Sequence, residues 1–400
     1  MKILQICNKP PYPPHEGGSI AMHSITMGLL TAGCNVKVLA ISSFKNKINQ
    51  NELPDWYIES TNFESVFIDL KVNPFHAFLN LFSTKSYHVQ RFVSKDFADK
   101  IIEVLSNESY DIIQLETLFL APYIEIIRNF SKAKIILRAH NIEHLIWDRV
   151  ALETKNPFKK LYIKHLAKTL KTYELSAINK FDGLAAITKK DAGFFLSNAP
   201  LLPIIDLPFG IDIENYTYKF EQANTELFHI GAMNWIPNQD GIIWFLENVW
   251  QLVLSEMPEL NFYLAGRSMP KWLFETKFTN VQVIGEVENA RDFIQSKGIM
   301  IVPLFSGSGI RIKIIEAMAL GKVVITTKIG AEGISYSNKE NILIANTAVE
   351  YKFAIIEAIS DGNLRRKITK NARFLVENEH NNKIIIDKLL SFYIQLINNK

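Results

Sequence analysis

Residues 299–326 leave the chain little choice of local fold. An apolar run, Ile299-Met300-Ile301-Val302-Pro303-Leu304, leads into Gly307-Ser308-Gly309-Ile310-Arg311, and Ile312, Ile315 and Met318 then recur at helical spacing. A β-branched run, Val323-Val324-Ile325-Thr326-Thr327, follows Gly321. The pattern predicts strand, glycine-rich loop, helix and strand, and two strands joined by a helix run parallel in one sheet.

The loop has its own chemistry. A glycine loop that feeds a helix N-terminus presents unpaired backbone N–H groups and the positive end of a dipole, both suited to a phosphate. Arg311 and Lys313 add cations where the dipole disfavours them unless an anion is present. Glu316, one turn past Ile312, can accept hydrogen bonds from hydroxyl groups. A phosphate binder beside a hydroxyl binder points to a nucleotide sugar. The plainer reading is a βα turn followed by a solvated helix face.

Similar strand candidates run along the chain: Ile3–Cys7, Val36–Ile41, Val66–Leu70, Ile112–Leu115, Ile135–Leu137, Leu184–Ile187 and Ile204–Leu207. A second series comprises Leu227–Ile230, Phe262–Ala265 and Val281–Ile284, followed by the two strands around Gly307. Helical stretches separate most of them, and such alternation predicts parallel, doubly wound sheets. Ser19 is the expected N-cap of a helix ending at Gly33. Glycines follow three strands of the second series (Gly231, Gly266, Gly285), and ligands bind outside the carboxyl ends of strands in such sheets.

At 400 residues, 48% apolar and 21% charged, the chain has the size of two globular domains. The domains are expected at 1–207 and 208–375, with a final apolar-striped helix, 376–400, that can pack back on the first. A net charge of +3 gives no ground for a nucleic-acid partner. Cys7 and Cys34 lack paired spacing, and the N-terminal segment is too soon interrupted by Asn8 and prolines for a signal peptide. No apolar run approaches a membrane span. A reduced, cytoplasmic protein is expected, at most at the inner face of a membrane. No Asp-x-Asp or His/Cys/Asp cluster has metal-ligand spacing, so neither metal nor cofactor is expected.

Taken together, the glycine-ended strands and Glu316-Ala317-Met318-Ala319 followed by Gly321 resemble family 4 retaining glycosyltransferases of the GT-B fold. The resemblance covers nearly the whole chain. Gly17-Gly18 is similar to the family's N-terminal glycine pair, and Arg138-Ala139-His140-Asn141-Ile142-Glu143 to the segment carrying its active-site histidine. Pro208-Phe209-Gly210-Ile211-Asp212 resembles its interdomain stretch, and Gly231 to Asn238 a subgroup with Trp-x-Pro-Asn there.

The resemblance implies two Rossmann-like domains facing across a cleft, and transfer from a nucleoside-diphosphate sugar to a glycan or polyprenyl-linked acceptor in bacterial surface polysaccharide synthesis. His140, Arg311, Lys313 and Glu316 would be catalytic, with Glu316 on the ribose hydroxyls. Gly17, Gly18, Gly231, Gly266, Gly285, Glu286, Val287, Gly307, Ser308, Gly309 and Ile310 would bind the donor. On spacing alone His140 reads as an ordinary loop histidine, with Glu143 and His144 as neighbours that could support it. His15 and Glu16 could reach the acceptor.

Two departures bear on the diphosphate. Ser308 stands where the family's pattern has the first of two glutamates, and residues 231–243 lack the arginine and lysine of many members. The diphosphate charge then falls to Arg311 and Lys313. A GT-B nucleotide-sugar epimerase and a non-catalytic sugar-nucleotide-binding protein are the alternatives.

Residues 155–171 hold Lys155, Lys159, Lys160, Lys164, Lys168 and Lys171 without an acid, interleaved with Phe158, Leu161, Leu166 and Leu170. Such a helix can lie on an anionic membrane or pack on the core with a solvated face.

Overall fold

Strand order in the computed structural model reverses once in each of two parallel sheets, and those reversals organise the molecule. The structure describes residues 1–14, 17–49, 52–220, 224–307 and 309–399. Ser308, His15 and Glu16 lie outside the described residues. The chain divides into one unit of Met1–Pro208 with Ile385–Lys400 and a second of Phe209–Ile384.

The first unit holds β1 (Lys2–Cys7), β2 (Asn35–Ser42), β3 (Glu64–Phe67), β4 (Ile112–Glu116), β5 (Lys134–Ala139), β6 (Gly183–Ala186) and β7 (Ile204–Asp206). They pair in the order β3-β2-β1-β4-β5-β6-β7, every pairing parallel. Alternate residues of β1 feed opposite faces. Leu4 and Ile6 pack with Phe97, Ile101 and Leu170, whereas Ile3 and Cys7 pack with Met22, Leu29 and Tyr57. Both faces are therefore covered, which is why the strands read as continuous apolar runs.

The helix Asn382–Asn398 completes the second face with Ile386, Leu389, Phe392 and Leu396. Gly183 makes room for it, since a Cβ there would lie 2.6 Å from Leu396 and 2.8 Å from Phe392.

Two local expectations are corrected. β3 ends at Phe67 and does not run to Leu70, because the chain turns where Asp69 Oδ1 accepts from the Lys71 amide at 2.9 Å. Ser19 does not cap a helix. The helix spans Gly17–Thr31, and the Ser19 hydroxyl inside its first turn donates to the Pro10 carbonyl at 3.1 Å.

The second unit holds β8 (Leu227–Ile230), β9 (Phe262–Ala265), β10 (Val281–Gly285), β11 (Ile299–Val302), β12 (Val323–Thr326) and β13 (Leu343–Ile344), in the order β10-β9-β8-β11-β12-β13, all parallel. Its core joins Phe245, Val249, Trp250, Phe262, Ile301 and Tyr351. The reversal falls between β1 and β4 in the first sheet and between β8 and β11 in the second. In open α/β sheets that point, at the strands' carboxyl ends, is where ligands bind.

Candidate active site

In the second unit, Gly231, Gly266 and Gly285 are drawn together at the ends of β8, β9 and β10. The Gly231 amide donates to the Ala265 carbonyl at 3.1 Å, and the Gly266 amide to the Gly285 carbonyl at 2.7 Å. Gly266 has φ +145, and a Cβ there would lie 1.8 Å from the Gly231 carbonyl oxygen, so no other residue fits.

A Cβ on Gly231 would meet Lys313 Nζ at 2.8 Å, Asn238 Nδ2 at 2.9 Å and His229 Nε2 at 3.1 Å. The missing side chain is thus the space in which the Lys313 ammonium sits. Sequence reasoning notes that 231–243 lacks its own cations. The structure supplies one to that strand end from the helix Ile312–Ala319.

Lys313 Nζ donates to Asn238 Oδ1 at 2.9 Å and faces His229 Nε2 at 3.4 Å. His229 is fully buried and its Nδ1 lies 2.8 Å from the Ile301 carbonyl, which can only accept. Nδ1 therefore carries the proton and Nε2 offers Lys313 a lone pair. Both partners are neutral, and among the described residues no carboxylate pairs with Lys313. Burial first, and then the charge of Arg311, push the Lys313 pKa down to about 7. Burial and the Lys313 charge likewise hold His229 well below the usual histidine range.

Arg311 immediately precedes this helix at its N-cap position and is turned back on its own loop. It is 6% exposed, Nη1 donates to the Gly309 carbonyl at 2.7 Å, and the guanidinium lies 5.3 Å from the Trp235 ring centroid. Gly307 (φ +103) makes room for that packing, since a Cβ would be 2.9 Å from Trp235 and 3.0 Å from Arg311 Nη2. The structure thus joins Gly307, Gly309 and Arg311 in one cradle and Gly231 and Lys313 in another.

Glu316 is half-buried on the same helix. Its Oε1 accepts from the Tyr216 hydroxyl at 2.7 Å, which leaves Oε2 for a second donor. Burial raises its pKa against the pull of Tyr216 and of Arg291, whose guanidinium lies 4.6 Å from the Tyr216 ring centroid. Glu286 is exposed, and Val287 and Ile310 are half-buried. No polar contact among the described residues ties Glu286 to the cations.

Gly17, Gly18 and His140 belong to the first unit. Gly17 and Gly18 open the helix after β1, where a Cβ on Gly18 would touch the Lys9 ammonium at 3.1 Å. His140 follows β5 directly, and it is far from an ordinary loop histidine. Its Nε2 donates to Glu116 Oε2 at 2.7 Å, and Arg138 Nη1 donates to the same oxygen at 3.1 Å. Glu116 Oε1 accepts from Gln5 at 2.7 Å and from Gln114 at 2.6 Å. Thr26 and Tyr393 in turn donate to the two glutamine carbonyls.

Glu116 and Arg138 are essentially buried. Burial alone would raise the Glu116 pKa, but the Arg138 charge and the His140 and Gln5 bonds bring it down to about 2. Burial lowers the His140 pKa, with Arg138 and Lys9 adding to the effect and Glu116 opposing it. A carboxylate cannot donate, so His140 carries its proton on Nε2 and presents the Nδ1 lone pair.

Thr117, next in the chain, adopts φ +104, rare for a β-branched residue. Among the described residues neither Glu143 nor His144 bonds His140 directly, and the Glu143 side chain bonds Asn141, next to His140. The Glu143 and His144 amides and the His144 ring all contact Glu174, which caps the helix Glu143–Glu153.

Glu116, Gln5, Gln114, His229, Tyr216 and Arg291 are absent from the sequence-derived site. Polar residues inside otherwise apolar strands (Gln5, Gln114, His229) were a usable signal, because a buried strand pairs such groups only for a reason. Among the described residues no group of His, Cys, Asp or Glu is arranged to hold a metal, and no helix is long and apolar enough to cross a membrane.

Comparison with known proteins agrees with this geometry. Residues 224–361 match the family described as glycosyl transferases group 1. A 44.6 kDa protein of Klebsiella pneumoniae, described as lying in the cps region, is 22% identical over 97% of this chain and 98% of its own. A glycosyltransferase of Methanocaldococcus jannaschii is 23% identical over 90% and 94%.

The chain superimposes on sucrose-phosphate synthase from Thermosynechococcus elongatus with a TM-score of 0.71 at 14% identity, covering 100% of both chains. It superimposes on Anabaena HepE in complex with UDP with 0.69 at 14% identity, covering 99% and 100%. Two doubly wound parallel sheets that superimpose over the full chain give the GT-B fold, and the segment from β8 to β13 matches glycosyl transferases group 1: the chain is a glycosyltransferase of the GT-B fold.

Proposed function

We propose that the protein is a retaining, family 4-type transferase. It moves a sugar from a nucleoside-diphosphate sugar to a hydroxyl of a glycan or lipid-linked acceptor, in the assembly of a bacterial surface polysaccharide. The observation that carries this reading is Lys313, an ammonium held at a glycine-lined strand end by two neutral acceptors and depressed to a pKa of about 7. A half-buried cation with no carboxylate partner among the described residues is costly to the apo protein, and an anion removes that cost. The ligand named in the HepE complex, UDP, and the cps-region relative point the same way.

In this reading the bond from the sugar's anomeric carbon to the diphosphate breaks, and the acceptor oxygen bonds to that carbon on the same face. The acceptor proton passes to the departing diphosphate. Charge developing on that diphosphate meets Lys313 and the N-terminus of Ile312–Ala319, so no divalent metal is required. Arg311 shapes the loop through Gly309 and Trp235. Glu316 Oε2 takes a ribose hydroxyl, and His140, in the first unit, offers Nδ1 as a hydrogen-bond acceptor.

A thermal-shift screen across nucleoside-diphosphate sugars tests the donor class, because stabilisation grows with ligand concentration over Kd. The expected result is one stabilising donor, slowly hydrolysed without acceptor, and a product NMR spectrum showing the donor's anomeric configuration. A panel that neither stabilises the protein nor is hydrolysed overturns the proposal.

A further inference from the structure

We infer that one face of the first unit, built from the helices Pro74–Asn80 and Pro157–Ala177, docks on an anionic lipid bilayer. This goes beyond the donor and acceptor chemistry and does not depend on it. The basic segment is a helix over 157–177, capped where Asn156 Oδ1 accepts from the Lys159 amide at 3.0 Å. Its Ile163, Leu166, Ala167 and Leu170 are buried, while Lys159, Lys164, Lys168 and Lys171 are exposed. By itself that is a core-packed helix with a solvated face.

What changes the reading is its neighbour, which sequence reasoning did not single out. Ala77 of the helix Pro74–Asn80 packs with Leu166, Tyr87 and Tyr162, and His165 Nε2 lies 3.1 Å from the Asn80 carbonyl. With Ala77 turned inward, the outward side is aromatic: Phe75 and Phe78 on the helix are 66% and 58% exposed, and Phe82 in the turn that follows it is 81% exposed. On the lysine helix Phe158 and Leu161 are 84% and 70% exposed. Phe78 and Phe82 pack edge to face with ring centroids 5.8 Å apart, and large apolar side chains this exposed on two helices joined through Ala77 and Leu166 mark an interaction surface.

Charge decides the partner. Residues 71–95 carry Lys71, Lys85, Arg91 and Lys95 and no acid, and residues 155–173 carry six lysines and no acid. A cleft of about 620 Å³ beside the aromatic helix is lined by Lys71, Lys85 and Arg91, with Asp69 its one carboxylate among the described residues. Aromatic rings at acyl depth, lysines at headgroup depth and a cationic cleft match an interface rich in anionic phospholipid. A soluble polyanion would use the lysines and leave the rings in water.

Vesicle flotation of the full chain tests this without any donor. Wild type is expected to float with phosphatidylcholine–phosphatidylglycerol vesicles, not with phosphatidylcholine alone, and raising salt should release it. F78S/F82S should lower the partition coefficient about tenfold or more from lost apolar burial. K164E/K168E should lower it at least about 30-fold. All four positions are exposed, so unchanged thermal unfolding should certify both variants as folded. Wild type that fails to float at low salt, or F78S/F82S that floats as well as wild type, overturns the inference. So does a wild-type dimer that F78S/F82S splits while vesicle binding is absent, which would make the face a contact between copies.

Discussion

The polar clusters at the two strand-order reversals treat charge in opposite ways. At β1/β4, Glu116 receives four hydrogen bonds, two from glutamines and two from Arg138 and His140, and stays ionised with a pKa of about 2. At β8/β11, Lys313 has, among the described residues, only Asn238 and neutral His229, and its pKa falls to about 7. The first cluster is balanced in charge without a ligand and fixes the orientation of one histidine ring. The second lacks a negative charge that a ligand can bring. One fold, used twice, thus yields a rigid support and an unfilled anion site, and the contrast lies in the partners rather than in the sheet.

The largest effect should come from unbalancing the first cluster. Glu116→Ala leaves the 1%-exposed Arg138 guanidinium without its carboxylate, an uncompensated buried charge costing about 3–5 kcal/mol. Urea unfolding followed by a probe in the first unit should register that loss, with Glu116→Gln in between. A cost below about 1 kcal/mol would mean the cluster behaves like a surface ion pair. The depressed pKa sets the pH window. This stability is present above the unfolded value near 4 and is lost as pH falls toward 2.

Lys313→Ala comes next and reverses the pattern, with little change in unfolding but a fall in kcat of about 10²–10³-fold. Arg311→Ala should lower both activity and thermal stability, because it also removes the Gly309 and Trp235 contacts. Equal behaviour of the two variants would merge the roles separated above.

The sheets were legible because parallel strands covered on both faces are apolar runs ending in glycine, as Leu227–Ile230 and Phe262–Ala265 show. β13, a two-residue strand on the sheet edge, has no pattern long enough to read. Within the site, Gly231, Arg311, Lys313 and Glu316 were visible as local chemistry. Their partners were not, because Lys313 meets His229 across 84 residues and Glu316 meets Tyr216 across 100, distances that only the topology closes. The aromatic face at Phe78 and Phe82 was hidden for another reason. In sequence an apolar helix looks the same whether it faces core or solvent, and only Ala77 packing on Leu166 shows which side is left out.

The smallest effect is the sharpest test of the contrast, since it reads the missing charge directly. With a pKa of about 7, Lys313 is partly neutral at neutral pH, whereas an ammonium bound to a diphosphate holds its proton. Below pH 7 the cation is already charged and nucleoside-diphosphate affinity should be flat. Above it each binding event must take up a proton, so Kd should rise by up to about tenfold per pH unit until another group intervenes. The apo protein should show the complementary trend: between about 7 and 10 the unfolded chain binds more protons at this lysine, so stability gains with pH. Asn238→Asp would place a carboxylate 2.9 Å from Nζ, in the acceptor position now held by the amide oxygen. That charge should hold the ammonium protonated and flatten the pH dependence. It should also weaken nucleotide binding at pH 6, because the site would then resemble the charge-balanced one at Glu116. Titration calorimetry of both proteins from pH 6 to 9, in buffers of different ionisation enthalpy, measures the proton uptake itself. Wild-type affinity that stays constant across that range would show that Lys313 is not the cation the diphosphate meets.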